Sequence, residues 1–191
     1  HGGPQATAEL SGGRTVGPSE TPPSVGEPEP FALTLSEIGA IVERFRTAAD
    51  LAVSSGFRFI EAHGAHGYLV DSFLSCVRNR RTDEYGGTQE KRAKLALDIV
   101  SGIKKRCGDD FPIVVCVNGF ETGYLLGEPD DMVFNHDLAL ETMGWLVDAG
   151  ADALMIRSSW LGLHVPGFLP DYLFFPEAQV PRSAMPPEYY P

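Results

Sequence analysis

KRAKLALDIVSGIKKRCGDDFPIVVCV, residues 91–117, is the stretch that decides the fold class. Four of its apolar residues recur at the spacing of one helix face, namely Leu95, Ile99, Val100 and Ile103. Gly108 follows them as a C-terminal stop. PIVVCV, residues 112–117, is then a continuous apolar run, as expected for a strand that is covered on both faces. The stretch therefore predicts a helix followed by a buried strand of a parallel sheet.

The residues before this stretch predict the same alternation. Residues 34–56 carry apolar side chains at helical spacing, and Thr34 with Glu37 fits a capping box. Residues 57–63, FRFIEAH, are short, aromatic and β-branched, which is typical of a strand. We expect a polar loop from there to the helix that begins near Lys91.

The residues after the stretch add one more helix and one more strand. Asn135 is the expected N-cap of a helix that ends near Gly150, and ALMIR, residues 153–157, predicts a strand. Alternating helices and strands indicate an α/β fold with right-handed βαβ units and a parallel sheet. The pattern leaves two architectures open, a doubly wound sheet and a (β/α)₈ barrel. In both, ligands bind beyond the carboxyl ends of the strands.

The prolines divide the chain into three parts. Of 15 prolines, six lie in residues 1–33, seven in residues 158–191 and two in between. Proline interrupts helices and central strands, so regular structure is expected in the middle. We predict a loop-rich N-terminal segment at 1–33, central βα units at 34–157, and a proline- and aromatic-rich loop or tail at 158–191.

Composition excludes several classes of protein. The formal net charge is -11, whereas duplex nucleic acid is bound by clustered Lys and Arg, so no nucleic-acid partner is expected. No apolar run approaches the roughly 18 residues of a membrane helix, so no membrane partner is expected. The three cysteines are well separated and form neither a disulfide framework nor a CxxC motif. This cysteine usage favours a reducing compartment, and we predict a cytoplasmic location.

A cluster of polar side chains follows the first predicted strand. His63, His66 and Tyr68 lie in HGAHGY, so two imidazoles and a phenol meet at one strand end. Such a trio can polarise and protonate an unsaturated carbonyl compound. Alternatively, the histidines simply satisfy backbone groups of the loop. Because only Glu61, His136 or His164 could join them, with no recognised ligand spacing, no metal site is predicted.

Two adjoining blocks carry a resemblance to a known family. HGAHGYLVDSFL, residues 63–74, followed by SCVRNRRTDEYGGTQEKR, residues 75–92, resembles the Old Yellow Enzyme family of FMN-dependent NAD(P)H:flavin oxidoreductases. The resemblance implies a (β/α)₈ barrel with FMN at the carboxyl ends of its strands. A complete barrel takes about 250 residues. We therefore expect a central fragment, a partial TIM barrel of about three βα units, strands four to six, with long flanking loops.

The resemblance also implies a reaction and its residues. His63 and His66 would hydrogen-bond the activating carbonyl or phenolate oxygen of a small-molecule substrate, and Tyr68 would contact the ligand. NADH or NADPH would reduce FMN, which would pass hydride to the β-carbon of an electron-poor alkene. The protein is thus predicted to be an oxidoreductase of the ene-reductase type. The isolated fragment is expected to be inactive. A homo-oligomer is one possible assembly.

The second block is assigned a scaffolding role. The long loop is expected to be held in place by Asn79, Arg81, Asp83 and Tyr85. Gly86 with Gly87 is expected to turn the loop into the helix. Outside this block, Arg157 ends the last predicted strand. It meets a phosphate or carboxylate in one interpretation and is a solvated charge in the other.

Four positions depart from the family pattern. Cys116, the predicted cofactor-binding position, stands where the family usually has Lys or Arg beside the flavin, and a thiol carries no positive charge there. Pro4 replaces a usual Arg, Cys76 a usual Pro, and Lys91 a usual Asn. These departures motivate a second hypothesis, a non-catalytic barrel remnant that serves as a binding or assembly module.

Overall fold

The computed structural model describes residues 2–6, 9, 12–22, 29–121, 123, 127–129 and 132–157. Its helices are a 3₁₀ helix at Gly3–Gln5, α1 at Leu35–Ser54, α2 at Leu69–Leu74, α3 at Gln89–Cys107 and α4 at His136–Asp148. Its strands are β1 at Val16–Gly17, β2 at Phe31–Ala32, β3 at Ile60–Gly64, β4 at Ile113–Asn118 and β5 at Ala153–Arg157. Among the described helices, none has the length and apolar character needed to cross a membrane. The predicted tail, 158–191, lies outside the described residues.

The predicted α/β fold with a parallel sheet is confirmed. Strands β3, β4 and β5 are neighbours in that order and pair in parallel. Helix α3 connects β3 to β4, and α4 connects β4 to β5. In this register His63 pairs with Cys116, and Cys116 pairs with Met155. The carboxyl ends of the three strands therefore meet at one edge of the sheet.

The helix starts follow from their capping residues. Thr34 Oγ1 accepts a hydrogen bond from the Glu37 amide at 3.3 Å, and Glu37 Oε2 accepts one from the Thr34 amide at 2.9 Å. This reciprocal pair confirms the predicted capping box. Asn135 Oδ1 caps α4 by accepting from the Leu138 amide at 3.1 Å. The apolar faces of α1 and α3 then bury the core side chains Ile38, Val42, Leu95, Ile99, Val100 and Ile103.

One predicted boundary was wrong, and one helix was missed. Strand β3 begins at Ile60 and not at residue 57, because the Phe57 amide donates to Ala52 O at 3.0 Å and so extends the end of α1. The loop after β3 contains α2, which was not predicted. All six residues of α2 are buried, so its sequence has no polar face that would give a helical period.

The N-terminal segment contains a short pair of strands as well as loop. Strand β1 pairs in parallel with β2, with Val16 opposite Phe31 and Gly17 opposite Ala32. Each strand has two residues, too few to give an alternating pattern in the sequence. The pairing therefore joins two parts of the N-terminal segment to each other.

The scaffolding role of the loop after α2 is confirmed by its hydrogen bonds. Asn79 Nδ2 donates to the carbonyls of Phe73 and Tyr85, at 2.7 Å each. Arg81 Nη1 donates to Pro18 O at 2.8 Å and Leu33 O at 2.6 Å, which ties the loop to the N-terminal segment. The Arg81 guanidinium also pairs with Asp83 in a two-pronged contact, with Nη2 to Oδ2 at 2.6 Å.

Lys104 joins the end of α3 to the start of two strands. Its ammonium group is buried and donates to Asp109 O at 2.7 Å, Phe111 O at 2.9 Å and Asp152 Oδ2 at 2.7 Å. The same Asp152 oxygen accepts from the Ile113 amide at 2.7 Å. The hydrogen bond from Lys104, and to a smaller extent the one from the Ile113 amide, holds the pKa of Asp152 below its usual range. Lys104 thus fixes where β4 and β5 begin.

We expect Lys104→Met to destabilise the chain by about 2 to 3 kcal/mol, because it keeps the aliphatic stem but leaves two carbonyls and a carboxylate without their donor. Denaturant unfolding followed by circular dichroism measures the change. The matched control is Lys105→Met at the exposed neighbouring position, which is expected to shift stability by no more than about 0.5 kcal/mol. Equal effects of the two variants would contradict this account of Lys104.

Candidate functional site

The candidate site lies on one face of the sheet, at the carboxyl ends of the strands. Side chains alternate between the faces of a strand. Ala62 and Val115 point toward α3, where they line a small cavity with Ala96 and Ile99. His63 and Cys116, one position further along each strand, therefore lie on the opposite face. This face is the one that a closed barrel would enclose.

The predicted trio is brought together. The ring centroids of His63 and His66 are 5.1 Å apart, and those of His63 and Tyr68 are 5.6 Å apart. The His63 side chain is one quarter exposed, and its Nδ1 lies 3.6 Å from Glu61 Oε1. The structure therefore places two imidazoles and a phenol within one small volume beside a carboxylate.

The loop that carries His66 is held by hydrogen bonds from distant parts of the chain. His66 has a φ of 62°, a left-handed conformation that is uncommon outside glycine. Its amide donates to Asn118 Oδ1 at 3.3 Å, and its carbonyl accepts from Gln5 Nε2 at 3.0 Å. The next amide, that of Gly67, donates to Asp71 Oδ2 at 2.6 Å. These contacts hold the imidazole of His66 in place against an unfavourable backbone conformation.

Buried ionisable groups lie beneath this loop. Asp71 Oδ2 also accepts from Asn118 Nδ2 at 2.9 Å. Burial, followed by the nearby charge of Glu121, raises the pKa of Asp71 to about 7, and Arg78 acts in the opposite direction. Burial likewise raises the pKa of Glu121, whose Oε2 accepts from Ser75 Oγ at 3.0 Å. The loop is thus hydrogen-bonded to the Asp71 carboxyl group, which takes up a proton near neutral pH.

Cys116 has a cationic neighbour on the next strand. Burial raises the pKa of the Cys116 thiol, and a hydrogen bond from Arg157 acts in the opposite direction. Arg157 lies two register pairs beyond Cys116, opposite Asn118. Its Nε atom is buried and has no hydrogen-bond partner among the residues that the structure describes. The guanidinium of Arg157 is thus partly enclosed at the strand end.

The structure separates the predicted residues into three groups. His63, His66, Tyr68 and Cys116 come together at one strand end. His136 lies elsewhere, at the start of α4, where its ring is 5.1 Å from that of Phe120, and His164 lies outside the described residues. Three positioning residues were missed, namely Gln5, Asp71 and Asn118. Only Asn118 had a usable sequence feature, since it directly follows a predicted strand.

Comparisons with known proteins place these features in a family. Residues 1–127 match the family model described as the NADH:flavin oxidoreductase / NADH oxidase family. A cinnamate reductase of Clostridium sporogenes is 34% identical over 165 residues, which are 80% of this chain and 25% of that protein. An NADPH dehydrogenase of Bacillus licheniformis is 32% identical over 183 residues, 94% of this chain and 48% of that protein.

A solved structure agrees with the sequence comparisons. The Old Yellow Enzyme homologue from Zymomonas mobilis superposes with a TM-score of 0.69 at 28% identity, covering 83% of this chain and 46% of that one. The chain thus spans a quarter to a half of the length of these proteins.

The raised pKa of Asp71 predicts a pH dependence of stability. Between about pH 4 and pH 7 the unfolded chain ionises this carboxyl while the folded chain keeps it protonated, so stability falls as pH rises. Asp71→Asn keeps an acceptor oxygen for Gly67 and Asn118 and has no proton to lose. We expect the variant to gain on the order of 2 to 4 kcal/mol relative to the wild type across this range.

Urea unfolding at several pH values across that window measures the difference between the two chains. Asp110→Asn, at an exposed position, is the control and is expected to keep the pH dependence of the wild type. A constant difference between Asp71→Asn and the wild type from acid to neutral pH would contradict the assignment.

Proposed function

The chain belongs to the NADH:flavin oxidoreductase / NADH oxidase family, and on that premise we propose that it forms part of an FMN-dependent NAD(P)H oxidoreductase of the ene-reductase type. Membership confirms the resemblance of residues 63–92 to the Old Yellow Enzyme family. The substrate class we propose is a small unsaturated carbonyl compound. One relative is a cinnamate reductase, and its name supports reduction of such a compound.

The proposed architecture is a partial (β/α)₈ barrel. We assign β3, β4 and β5 to strands four, five and six of the closed barrel that the family forms. The parallel order of these strands and the helices between them support this assignment. A shared fold with an Old Yellow Enzyme homologue, at a TM-score of 0.69, supports it as well. The proposed site then lies at the carboxyl ends of the strands, where barrel enzymes bind their substrates.

The observation that carries the proposal is the distance between the two imidazole rings. Two donors that each lie about 2.9 Å from a shared oxygen are at most about 5.8 Å apart. The nitrogens lie on the rim of each imidazole ring, so the 5.1 Å between the ring centroids of His63 and His66 allows one nitrogen of each ring to reach the same oxygen. Two oriented donors on a carbonyl oxygen withdraw electron density from the conjugated alkene, which makes its β-carbon a better hydride acceptor. Tyr68, whose ring centroid is 5.6 Å from that of His63, supplies a further contact to the ligand through its hydroxyl.

The residues present fit a flavin. When bound, FMN supplies the hydride transfer between the nicotinamide and the alkene. Reduction of a flavin makes its ring system anionic, so a nearby cation favours it. Cys116 carries no positive charge, but Arg157 hydrogen-bonds its thiol and has a buried Nε without a described partner. We assign to Arg157 the stabilising charge that the family usually places at position 116.

The paired histidines lead to a test of the substrate half of the reaction. In the protein as the cell makes it, His63→Asn or His66→Asn should slow alkene reduction and weaken the binding of a phenol by roughly 100-fold or more. Reduction of bound flavin by NADH or NADPH should change much less, because neither imidazole is assigned to that step. Rapid-mixing measurements of the two half-reactions separate the effects. His136→Asn, at an exposed position outside the trio, is the matched control, and equal losses in both half-reactions would contradict the assignment.

Flavin content distinguishes the proposal from the non-catalytic alternative. The protein as the cell makes it is expected to be yellow, and its visible absorption should bleach on addition of NADH or NADPH in the absence of oxygen. A colourless protein that cannot be reconstituted with FMN would favour a binding or assembly module.

A further inference from the structure

A second feature of the same strand ends concerns a different kind of ligand. Glu61, His63 and Cys116 each offer one donor atom, and the three donor atoms lie within 4.8 Å of one another. Among the residues that the structure describes, no other group of three such donors comes together in this way. The set joins two adjacent strands at a fixed register, because His63 and Cys116 are partners across β3 and β4.

The backbone explains why these side chains converge. Glu61 and His63 are two residues apart on β3 and so point to the same face of the sheet. Cys116 lies on that face of the neighbouring strand, opposite His63. The glutamate is long enough to reach along the strand, which brings its Oε1 to 3.6 Å from His63 Nδ1.

The spacing suits a tetrahedral metal ion. With bonds of about 2.3 Å to sulfur and about 2.0 to 2.1 Å to nitrogen and oxygen, the donors around Zn²⁺ lie about 3.3 to 3.6 Å from one another. The His63 to Glu61 distance already has this value, and the remaining distances, at most 4.8 Å, need to close by about 1 Å. Rotation of the Glu61 and His63 side chains, which are 37% and 25% exposed, provides that change without moving the strands.

The donor types select among metals. A thiolate, an imidazole and a carboxylate are the three kinds of ligand found at zinc sites, whereas Mg²⁺ and Ca²⁺ bind through oxygen. A deprotonated Cys116, a neutral His63 and an ionised Glu61 together carry two negative charges, which balance a divalent cation. Arg157 hydrogen-bonds the Cys116 thiol and so favours its thiolate form.

We propose that Glu61, His63 and Cys116 form a three-ligand site for Zn²⁺, with the fourth position open to water or another small ligand. Binding releases the thiol proton of Cys116 to solvent. The test of this site does not depend on the proposed function, although the site shares His63 and Cys116 with the positions assigned to substrate and flavin. Where His63 also binds substrate, a bound metal competes for the same side chain.

Cobalt spectroscopy tests the site directly. Co²⁺ titrated into the untagged full chain, with folding checked by circular dichroism, should give tetrahedral d–d bands and a sulfur-to-cobalt charge-transfer band at one metal per chain. Zn²⁺ should displace the cobalt. Cys116→Ser should remove the charge-transfer band, His63→Asn should lower the affinity by at least tenfold, and Glu61→Gln should lower it less.

The other two cysteines provide matched controls. Cys76→Ser and Cys107→Ser keep all three proposed ligands and should keep the band and the affinity. A folded chain that gives no charge-transfer band would overturn the proposal, and so would a band that persists in Cys116→Ser. Because the readout is metal binding, failure here leaves the flavin content and the two half-reactions as separate tests of the enzyme.

Discussion

One carboxyl oxygen, Oδ2 of Asp71, organises the end of the sheet. It accepts hydrogen bonds from the Gly67 amide and from Asn118 Nδ2, so it joins the loop after β3 to the last residue of β4. Asn118 in turn accepts from the His66 amide through its other side-chain atom. His66, which has a left-handed backbone, is therefore held by Asn118, 52 residues away in the chain. Asn118 is held in turn by Asp71, 47 residues away. Without this link, nothing in the local sequence would keep two histidine rings close together.

Burial of the ionisable groups beneath this loop has an energetic cost. Asp71, Arg78 and Glu121 are almost wholly buried, and burial disfavours the charged form of each. Part of the cost is offset because opposite charges face one another and because Ser75 and the Phe134 amide donate to Glu121. Buried polar networks of this kind fix one arrangement strongly, since any other leaves a polar group without a partner. Such rigidity is what two oriented donors at a site require.

Sequence patterns predicted the parts of the structure that depend on local periodicity. Helices α1, α3 and α4 and strands β4 and β5 follow from apolar spacing and from caps such as Thr34 and Asn135. Helix α2 was missed because it is buried on every side, and β1 and β2 were missed because they are too short for a pattern. Of the site, the side chains at strand ends could be predicted. Two of their supports, Gln5 and Asp71, could not, because they contact the loop through hydrogen bonds that leave no local trace in the sequence. Only Asn118 had a sequence feature, its place directly after a predicted strand.

The bond from Gln5 to the His66 carbonyl spans 61 residues and therefore concerns the order of folding. Closing a loop of that length costs chain entropy before any contact repays it, so such contacts form after the local helices. The strands β3 and β4 also have to pair first, because Asn118 is placed by that pairing. We therefore expect the segment that carries His66 to be assembled after the sheet and, because its hydrogen bonds depend on that sheet, to open before it. Native-state hydrogen exchange measures such an order directly. The amides of His66 and Gly67 are expected to exchange through local opening, whereas those of β4 are expected to exchange only through global unfolding.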